Sequence, residues 1–186
     1  MTETKRTAED ALPGDANARQ TIEEIVRVDQ AGEFGAVRIY AGQLAVLKAG
    51  AASARIREMA AKEAEHLEAF NRLMVERRVR PTALQPLWHV AGFALGAATA
   101  LMGERAAMAC TVAVEEVIDE HYAQQAAKLG ADEAGLRETI ERFRADEIEH
   151  RDVALAHEAR EAPGYPLLSA AIKTGSRLAI WLSTRI

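Results

Sequence analysis

The chain has 186 residues, of which 49% are hydrophobic, and a formal net charge of −5. A chain of this length forms one domain of ordinary size, and its acidic balance excludes a nucleic-acid partner, which would require a basic face. The lone Cys110 excludes an internal disulfide and any cysteine-rich zinc or iron–sulfur site. Abundant alanine, short β-branched runs and only 5% aromatic residues predict an all-α fold.

The N-terminal residues 1–18 are polar and contain no apolar core that could act as a signal peptide. We expect them to form a short polar arm that ends near Asn17, because asparagine is a favoured helix N-cap. Residues 19–186 then make up the folded domain.

Four long helices with an apolar stripe are predicted from residues recurring at a 3.6-residue period. Gly50 is a stop signal after the first, and Pro81 closes the second. Asp132 is expected to cap the fourth. The helices are predicted over residues 19–48, 52–78, 104–129 and 132–161.

Two further segments are more apolar than a bundle requires. Leu87–Met102 is too short for a confident membrane span, which needs about 20 residues, and it is interpreted as the long crossover between two halves of the chain. Within it, Trp88 would suit a membrane interface, and His89 is expected to be half-buried and not a ligand. The segment after Pro163 is an amphipathic helix with Trp181 on its apolar face. It would lie at a membrane interface or dock on the bundle.

Two Glu-x-x-His pairs carry the strongest functional signal. They are Glu63 with His66 and Glu147 with His150. Residues three apart lie on the same helix face, one turn from each other, so each pair can present a carboxylate and an imidazole to one metal ion.

Each pair is preceded, about one helical hairpin upstream, by a glutamate within an otherwise apolar stripe. These are Glu33 and Glu115, and the position of Glu115 on its stripe favours it over the adjacent Glu116. A buried carboxylate costs several kcal/mol unless it is paired or binds a metal. Four carboxylates and two imidazoles in one core are the ligand set of di-iron or di-manganese proteins. The alternative is that these residues lie on solvated helix surfaces.

Several neighbouring residues are candidates for a substrate pocket or for supporting the ligands. Small residues beside Glu33 would let a flat ring approach, although they would also suit tight helix packing. The histidine ligands need acceptors for their second ring nitrogen. The pocket candidates are Gly32, Gly35, Tyr40, His121 and Tyr122, and the acceptor candidates are Asp29 and Asp146.

Four segments of the chain closely resemble the demethoxyubiquinone hydroxylases, the di-iron monooxygenases of the penultimate hydroxylation in ubiquinone biosynthesis. The segments are RVDQAGEFGAVRIYAGQ, EAEHLEAFNRLM, LMGERAAMACTVAVEE and FRADEIEHRD. The resemblance implies a ferritin-like four-helix di-iron bundle with an apolar crossover helix and a C-terminal amphipathic helix. By motif, the family's metal ligands fall on Glu33, Glu63, His66, Glu115, Glu147 and His150.

The resemblance also implies a function. Two iron ions per chain, held by the catalytic carboxylates Glu33, Glu63, Glu115 and Glu147, would use O2 to hydroxylate the ring of a polyprenylated 6-methoxy-benzoquinol. Glu63 and Glu147 would bridge the irons. The enzyme would be peripheral on the cytoplasmic face of the cell membrane, with a protein partner that helps deliver the quinone. A ferritin-like protein that oxidises and stores iron is the alternative.

Overall fold

The computed structural model describes residues 17–186, so most of the expected N-terminal arm, residues 1–16, lies outside the described part. Six α-helices and two short 3-10 helices follow, with no β-strand between residues 17 and 186. The all-α prediction is therefore confirmed. The helices are α1 (Ala18–Val46), α2 (Ala51–Arg77), α3 (Gln85–Leu101), α4 (Glu104–Lys128), α5 (Ala134–Ala156) and α6 (Tyr165–Arg185).

The start of α1 has a local cause in the sequence. The Asn17 side chain accepts a hydrogen bond from the Gln20 backbone N–H, and the Gln20 side chain accepts one from the Asn17 backbone N–H. This reciprocal arrangement is a capping box, and the predicted cap is confirmed. Helix α2 ends at Arg77, within one residue of its predicted end. Arg78 takes a left-handed conformation with φ 56° and closes the last turn.

The predicted bounds of the fourth long helix were wrong at both ends. Asp132 does not cap it but lies in the 3-10 helix Ala131–Glu133, and α5 begins only at Ala134. The helix ends at Ala156, because Glu158 adopts a left-handed conformation with φ 60° before a second 3-10 helix at Ala159–Glu161.

Helices α1, α2, α4 and α5 form a four-helix bundle in which neighbours run antiparallel. The contacts that fix this register include Gln30 with Asn71 between α1 and α2, and Arg144 with Asp119 between α4 and α5. Two apolar clusters fill the bundle. One surrounds Ile56 towards one end and the other surrounds Phe70 towards the opposite end. A polar layer lies between them.

Helix α3 is the crossover between the two halves, as predicted, and it packs along α1 at very short range. A Cβ atom at Gly96 would collide with the carbonyl oxygen of Ile39, and one at Gly42 would collide with that of Phe93. Glycine on both helices therefore permits the close approach. The expectation that His89 is half-buried was wrong, because it is exposed. The Trp88 indole N–H donates to Ser183 Oγ of α6 at 2.9 Å.

Helix α6 docks on the bundle along α4 through the buried Ile172, which packs on apolar residues of α4. Beside this contact, Lys173 pairs with Glu116, and the exposed Arg177 pairs with Glu120. Leu178 and Trp181 are more than half exposed. The apolar side chains of α6 therefore divide between the bundle and the outer surface.

The two halves of the chain therefore repeat the same three-helix arrangement. In each half an antiparallel pair is followed by a third helix that runs parallel to the first, α3 on α1 and α6 on α4. Among the helices of residues 17–186, none combines the length and the apolar character that crossing a membrane requires.

We expect Gly96→Ala to destabilise the fold by about 1–3 kcal/mol, the usual effect of overpacking, because α1 and α3 must separate to admit the methyl group. Urea denaturation of the purified variant measures this. Gly135→Ala is the matched control, since a Cβ atom there meets no described atom within 4 Å. Alanine in a helix should raise the free energy of unfolding of that variant by up to about 1 kcal/mol. A Gly96→Ala protein as stable as the wild type would contradict the close packing of α1 on α3.

Candidate metal centre

The polar layer of the bundle brings the six predicted ligands together. Glu33 comes from α1, Glu63 and His66 from α2, Glu115 from α4, and Glu147 and His150 from α5, and each side chain is at least 94% buried. Two groups have ligand atoms within 4.8 Å of one another. They share two carboxylates. The first group is Glu33, Glu63, His66 and Glu147, and the second is Glu63, Glu115, Glu147 and His150.

The two imidazoles point the same nitrogen into the cluster. His66 Nδ1 lies 3.2 Å from Glu147 Oε1 and 3.6 Å from Glu33 Oε2. His150 Nδ1 lies 2.9 Å from Glu63 Oε1 and 3.4 Å from Glu147 Oε2. Each histidine therefore faces carboxylate oxygens from two helices.

The donor atoms fit a pair of metal ions. Both Nδ1 atoms, Glu33 Oε2, Glu63 Oε1 and Glu147 Oε2 are buried without a hydrogen-bond partner, which is costly for polar atoms unless another interaction satisfies them. Carboxylate oxygens with imidazole nitrogens suit iron or manganese rather than a soft metal. The shared carboxylates, Glu63 and Glu147, are placed where they could contact both ions.

The electrostatics of the metal-free cluster show strong coupling between acids and bases. Burial raises the pKa of Glu63 well above its ordinary value, and the charges of Glu147 and Glu33 raise it further. Burial also opposes the ionisation of Glu147, but the close imidazoles of His150 and His66 outweigh it and lower its pKa to about 2. For His66, burial lowers the pKa, while the close carboxylates of Glu147 and Glu33 prevail and raise it to about 10. A divalent cation would replace these protons.

The two acceptor candidates lie in different places. Asp146 Oδ2 is 2.9 Å from His66 Nε2, so it can hold the ring with Nδ1 free for a metal. Asp29 does not reach either metal-facing histidine. Its Oδ1 accepts from Gln125 Nε2 at 2.7 Å and lies 3.6 Å from His121 Nε2.

The tyrosines bind carboxylates of the cluster. Tyr40 on α1 donates to Glu115 Oε1 on α4 at 2.8 Å, and Tyr122 on α4 donates to Glu33 Oε1 on α1. Tyr40 lines neither of the cavities beside the cluster, in contrast to its predicted place in a substrate pocket. The sequence did carry a signal for this role, because each tyrosine follows the glutamate of its own helix by seven residues.

Two cavities adjoin the cluster. An apolar cavity of about 350 Å³ lies among α1, α3, α4 and α6, and Gly32 and Gly35 line it. A cavity of about 20 Å³ is lined by Glu33, His121 and Tyr122. The two cavities share wall residues, which are Val28, Gly32, Ala36, Val114, Ile118 and Ile180. Four of the five pocket candidates therefore lie along one route from the outer helices to the carboxylates.

We expect metal affinity to rise with pH. In the metal-free protein the pKa of His66 is about 10, so a metal at Nδ1 must displace a proton throughout the neutral range, and the affinity increases as pH rises towards that pKa. Co(II) titrations at pH 6, 7 and 8 should give dissociation constants that fall roughly tenfold or more per unit. Glu115→Gln should weaken binding. Glu116→Gln is its control, because that carboxylate pairs with Lys173 outside the cluster. Affinity independent of pH would contradict the protonation described here.

The chain is similar to known proteins over a range that includes all six candidate ligands. Residues 20–183 match the family model described as "Ubiquinone biosynthesis protein COQ7". The chain is 58% identical over 183 residues to the "3-demethoxyubiquinol 3-hydroxylase" of Rhodospirillum rubrum, covering 98% of this chain and 86% of that protein.

Eukaryotic relatives extend the same match. The human "NADPH-dependent 3-demethoxyubiquinone 3-hydroxylase, mitochondrial" is 50% identical over 173 residues, which cover 91% of this chain and 80% of the relative. The "5-demethoxyubiquinone hydroxylase, mitochondrial" of Saccharomyces cerevisiae is 42% identical over 182 residues, which cover 89% of this chain and 78% of the relative. Because the family model spans nearly the whole folded part, the chain belongs to the ubiquinone biosynthesis protein COQ7 family.

Proposed function

We propose that this chain hydroxylates the ring of a polyprenylated demethoxyubiquinol with O2, using two iron ions per chain. Its family and its identity with relatives named as hydroxylases make it an enzyme of ubiquinone biosynthesis. The observation that carries the specific proposal is the shared wall between an apolar cavity and the carboxylate–histidine cluster. An apolar ring can thus come close to the atoms that would hold the metals.

The proposed ligand assignment follows from the two groups of donors. Glu63 and Glu147 would bridge the ions, since both belong to each group. Glu33 with His66 would complete one site, and Glu115 with His150 the other. When bound, the irons supply the activation of O2, which is chemistry beyond the reach of these side chains.

The cavity walls would bind and orient the substrate. Hydroxylation places one oxygen atom of O2 on the ring and reduces the other to water, which takes two electrons from a donor outside the chain. Gly32 and Gly35 leave the space that a flat ring needs, and the apolar walls exclude water from the reacting carbon. His121 and Tyr122, two of the polar groups that line the small cavity, would contact the ring oxygens.

The alternative of iron oxidation and storage is not favoured. An iron store needs only Fe(II) and O2 to reach the cluster, whereas the cavity of about 350 Å³ has the size and the apolar lining of an organic ligand site. The relatives named above are hydroxylases.

We expect Gly35→Leu to lower kcat/KM for a short-chain demethoxyquinol about tenfold or more, while the chain keeps about two irons. A Cβ atom at Gly35 meets no atom within 4 Å, so the side chain fills cavity space without displacing a helix. Product analysis and iron stoichiometry measure the two effects. Gly135→Leu is the control, because its site is equally open and lies outside the cavity. Normal hydroxylation by Gly35→Leu would place the ring elsewhere.

We also propose that the enzyme is peripheral on the cytoplasmic face of the cell membrane, where a polyprenylated quinol resides, and that a protein partner assists delivery. The support is a set of exposed apolar side chains on α3 and α6, the two helices that flank the cavity. Leu87 and Val90 of α3, and Leu167, Leu178 and Trp181 of α6, are each more than half exposed. Residues 17–186 would act as one hydroxylase unit.

We expect Leu178→Glu to weaken binding to phosphatidylcholine vesicles about tenfold, because burying one leucine contributes about 1.5–3 kcal/mol and each 1.4 kcal/mol is tenfold. Flotation of the purified protein measures the partition. Val75→Glu is the matched control, since Val75 is 80% exposed but lies on α2. Equal losses in both variants would show that α6 is not the lipid-contacting face.

A further inference from the structure

The two tyrosine–glutamate bonds of the metal centre are related by the internal repeat. Helices α1 and α4 run antiparallel, and each carries a glutamate followed seven residues later by a tyrosine. The antiparallel register places Tyr40 beside Glu115 and Tyr122 beside Glu33, so each tyrosine donates to the carboxylate of the other helix. The bonds form a crossed pair.

The surroundings of the two bonds are different. Tyr122 lines the small cavity beside the cluster, together with Glu33 and His121. Tyr40 lines neither that cavity nor the larger one. Its ring is 98% buried in the apolar cluster that includes Ile56 and Met59. The Tyr122 side chain therefore borders the small cavity and the Tyr40 side chain does not, although both acceptors, Glu33 and Glu115, line that cavity.

Among residues 17–186, the Tyr40 hydroxyl has two hydrogen-bond partners, Glu115 and Met59. The Met59 thioether sulfur, at 3.9 Å, is a weak acceptor. Loss of the bond to Glu115 would leave the hydroxyl unsatisfied in an apolar cluster, which is unfavourable. The Tyr40–Glu115 bond is thus held by the burial of both partners.

We infer that Tyr40 is a positioning residue, which fixes Glu115 as a ligand with one oxygen engaged, while Tyr122, which lines the small cavity, can also contact the substrate. This inference rests on the proposed di-metal function. It gives the two tyrosines of the repeated site different roles.

The first test is Co(II) binding to the Tyr40→Phe protein, which loses only the hydroxyl. The variant should bind two Co(II) per chain with wild-type helical circular dichroism. The visible absorption of one Co(II) should change, and its dissociation constant should rise about tenfold, as for other groups that orient a metal ligand. Tyr165→Phe is the control, because Tyr165 packs on the same apolar cluster but lies outside the ligand set. An unchanged Co(II) spectrum and affinity in Tyr40→Phe would overturn the inference.

Kinetics of the iron-loaded enzyme separate positioning from substrate contact. Tyr40→Phe should lower kcat and leave KM for a short-chain quinol unchanged, whereas Tyr122→Phe should also raise KM because Tyr122 lines the cavity. If Tyr40→Phe raises KM but leaves kcat and the Co(II) spectrum unchanged, Tyr40 contacts the substrate and is not a positioning residue.

A second measurement does not depend on the folding of a variant at position 40. The chain has three tyrosines, so 3-fluorotyrosine labelling gives three ¹⁹F signals, assigned with Tyr122→Phe and Tyr165→Phe. On Zn(II) addition the Tyr40 and Tyr122 signals should both shift. On addition of a quinone with one isoprene unit, the Tyr122 signal should shift again and the Tyr40 signal should not. A Tyr40 signal that ignores Zn(II), or follows the quinone, would refute the assignment.

The outcomes also distinguish this inference from the proposed function. If the wild-type chain binds two metals but hydroxylates no quinol, the proposed function is refuted. The positioning role is then still decided by the Co(II) binding and ¹⁹F measurements. If the wild-type chain hydroxylates quinol and the Co(II) spectrum of Tyr40→Phe is identical to that of the wild type, only the positioning role is refuted.

Discussion

The structure depends on placing four carboxylates and two imidazoles in one buried layer of a helical bundle. An isolated carboxylate in such an interior costs several kcal/mol, and the neighbouring carboxylates raise the pKa of Glu63 and Glu115 beyond the effect of burial. The layer is tolerable because imidazole nitrogens, tyrosine hydroxyls and, in the proposed function, two cations compensate the charge. The apolar clusters on either side then have a clear role. They hold the four helices at the register that brings the ligand atoms within 4.8 Å of one another.

The internal repeat explains both the symmetry of the site and its departure from symmetry. Two copies of a three-helix unit supply equivalent glutamates, Glu-x-x-His pairs and tyrosines. The two halves supply equivalent ligands because their bundle helices are arranged in the same way. The outer helices differ, since α3 packs on α1 through glycines, whereas α6 packs on α4 through Ile172 and ion pairs. The space left between the outer helices adjoins the cluster, where both Glu33 and Glu115 line the small cavity. The same duplicated scaffold can therefore give equivalent ligands with different neighbouring helices.

The location of the cavity links the chemistry to the proposed membrane surface. Its walls include residues of α3 and α6, and the outward side chains of the same helices are apolar. A ring that leaves a lipid layer would pass between these helices without crossing a polar surface. Lys173 and Arg177 do not interrupt this face, because they are engaged by glutamates of α4. The hydrogen bond from Trp88 to Ser183 joins the two helices beside the cavity.

The sequence by itself determined the helical class, the N-cap at Asn17, the crossover and the set of glutamates and histidines that face the core. These depend on local hydrogen bonding and on the 3.6-residue period, which a single helix already possesses. It also separated Glu115 from Glu116, because adjacent residues lie about 100° apart on a helix. The roles of Tyr40 and Asp29, and the division of the apolar residues of α6 between the bundle and the outer surface, were decided only by tertiary structure. Each depends on which residue of another helix lies opposite, and that register is set by the packing of whole helices. The turn that ends α5 at Glu158 belongs with them, since no glycine or proline in the sequence marks it.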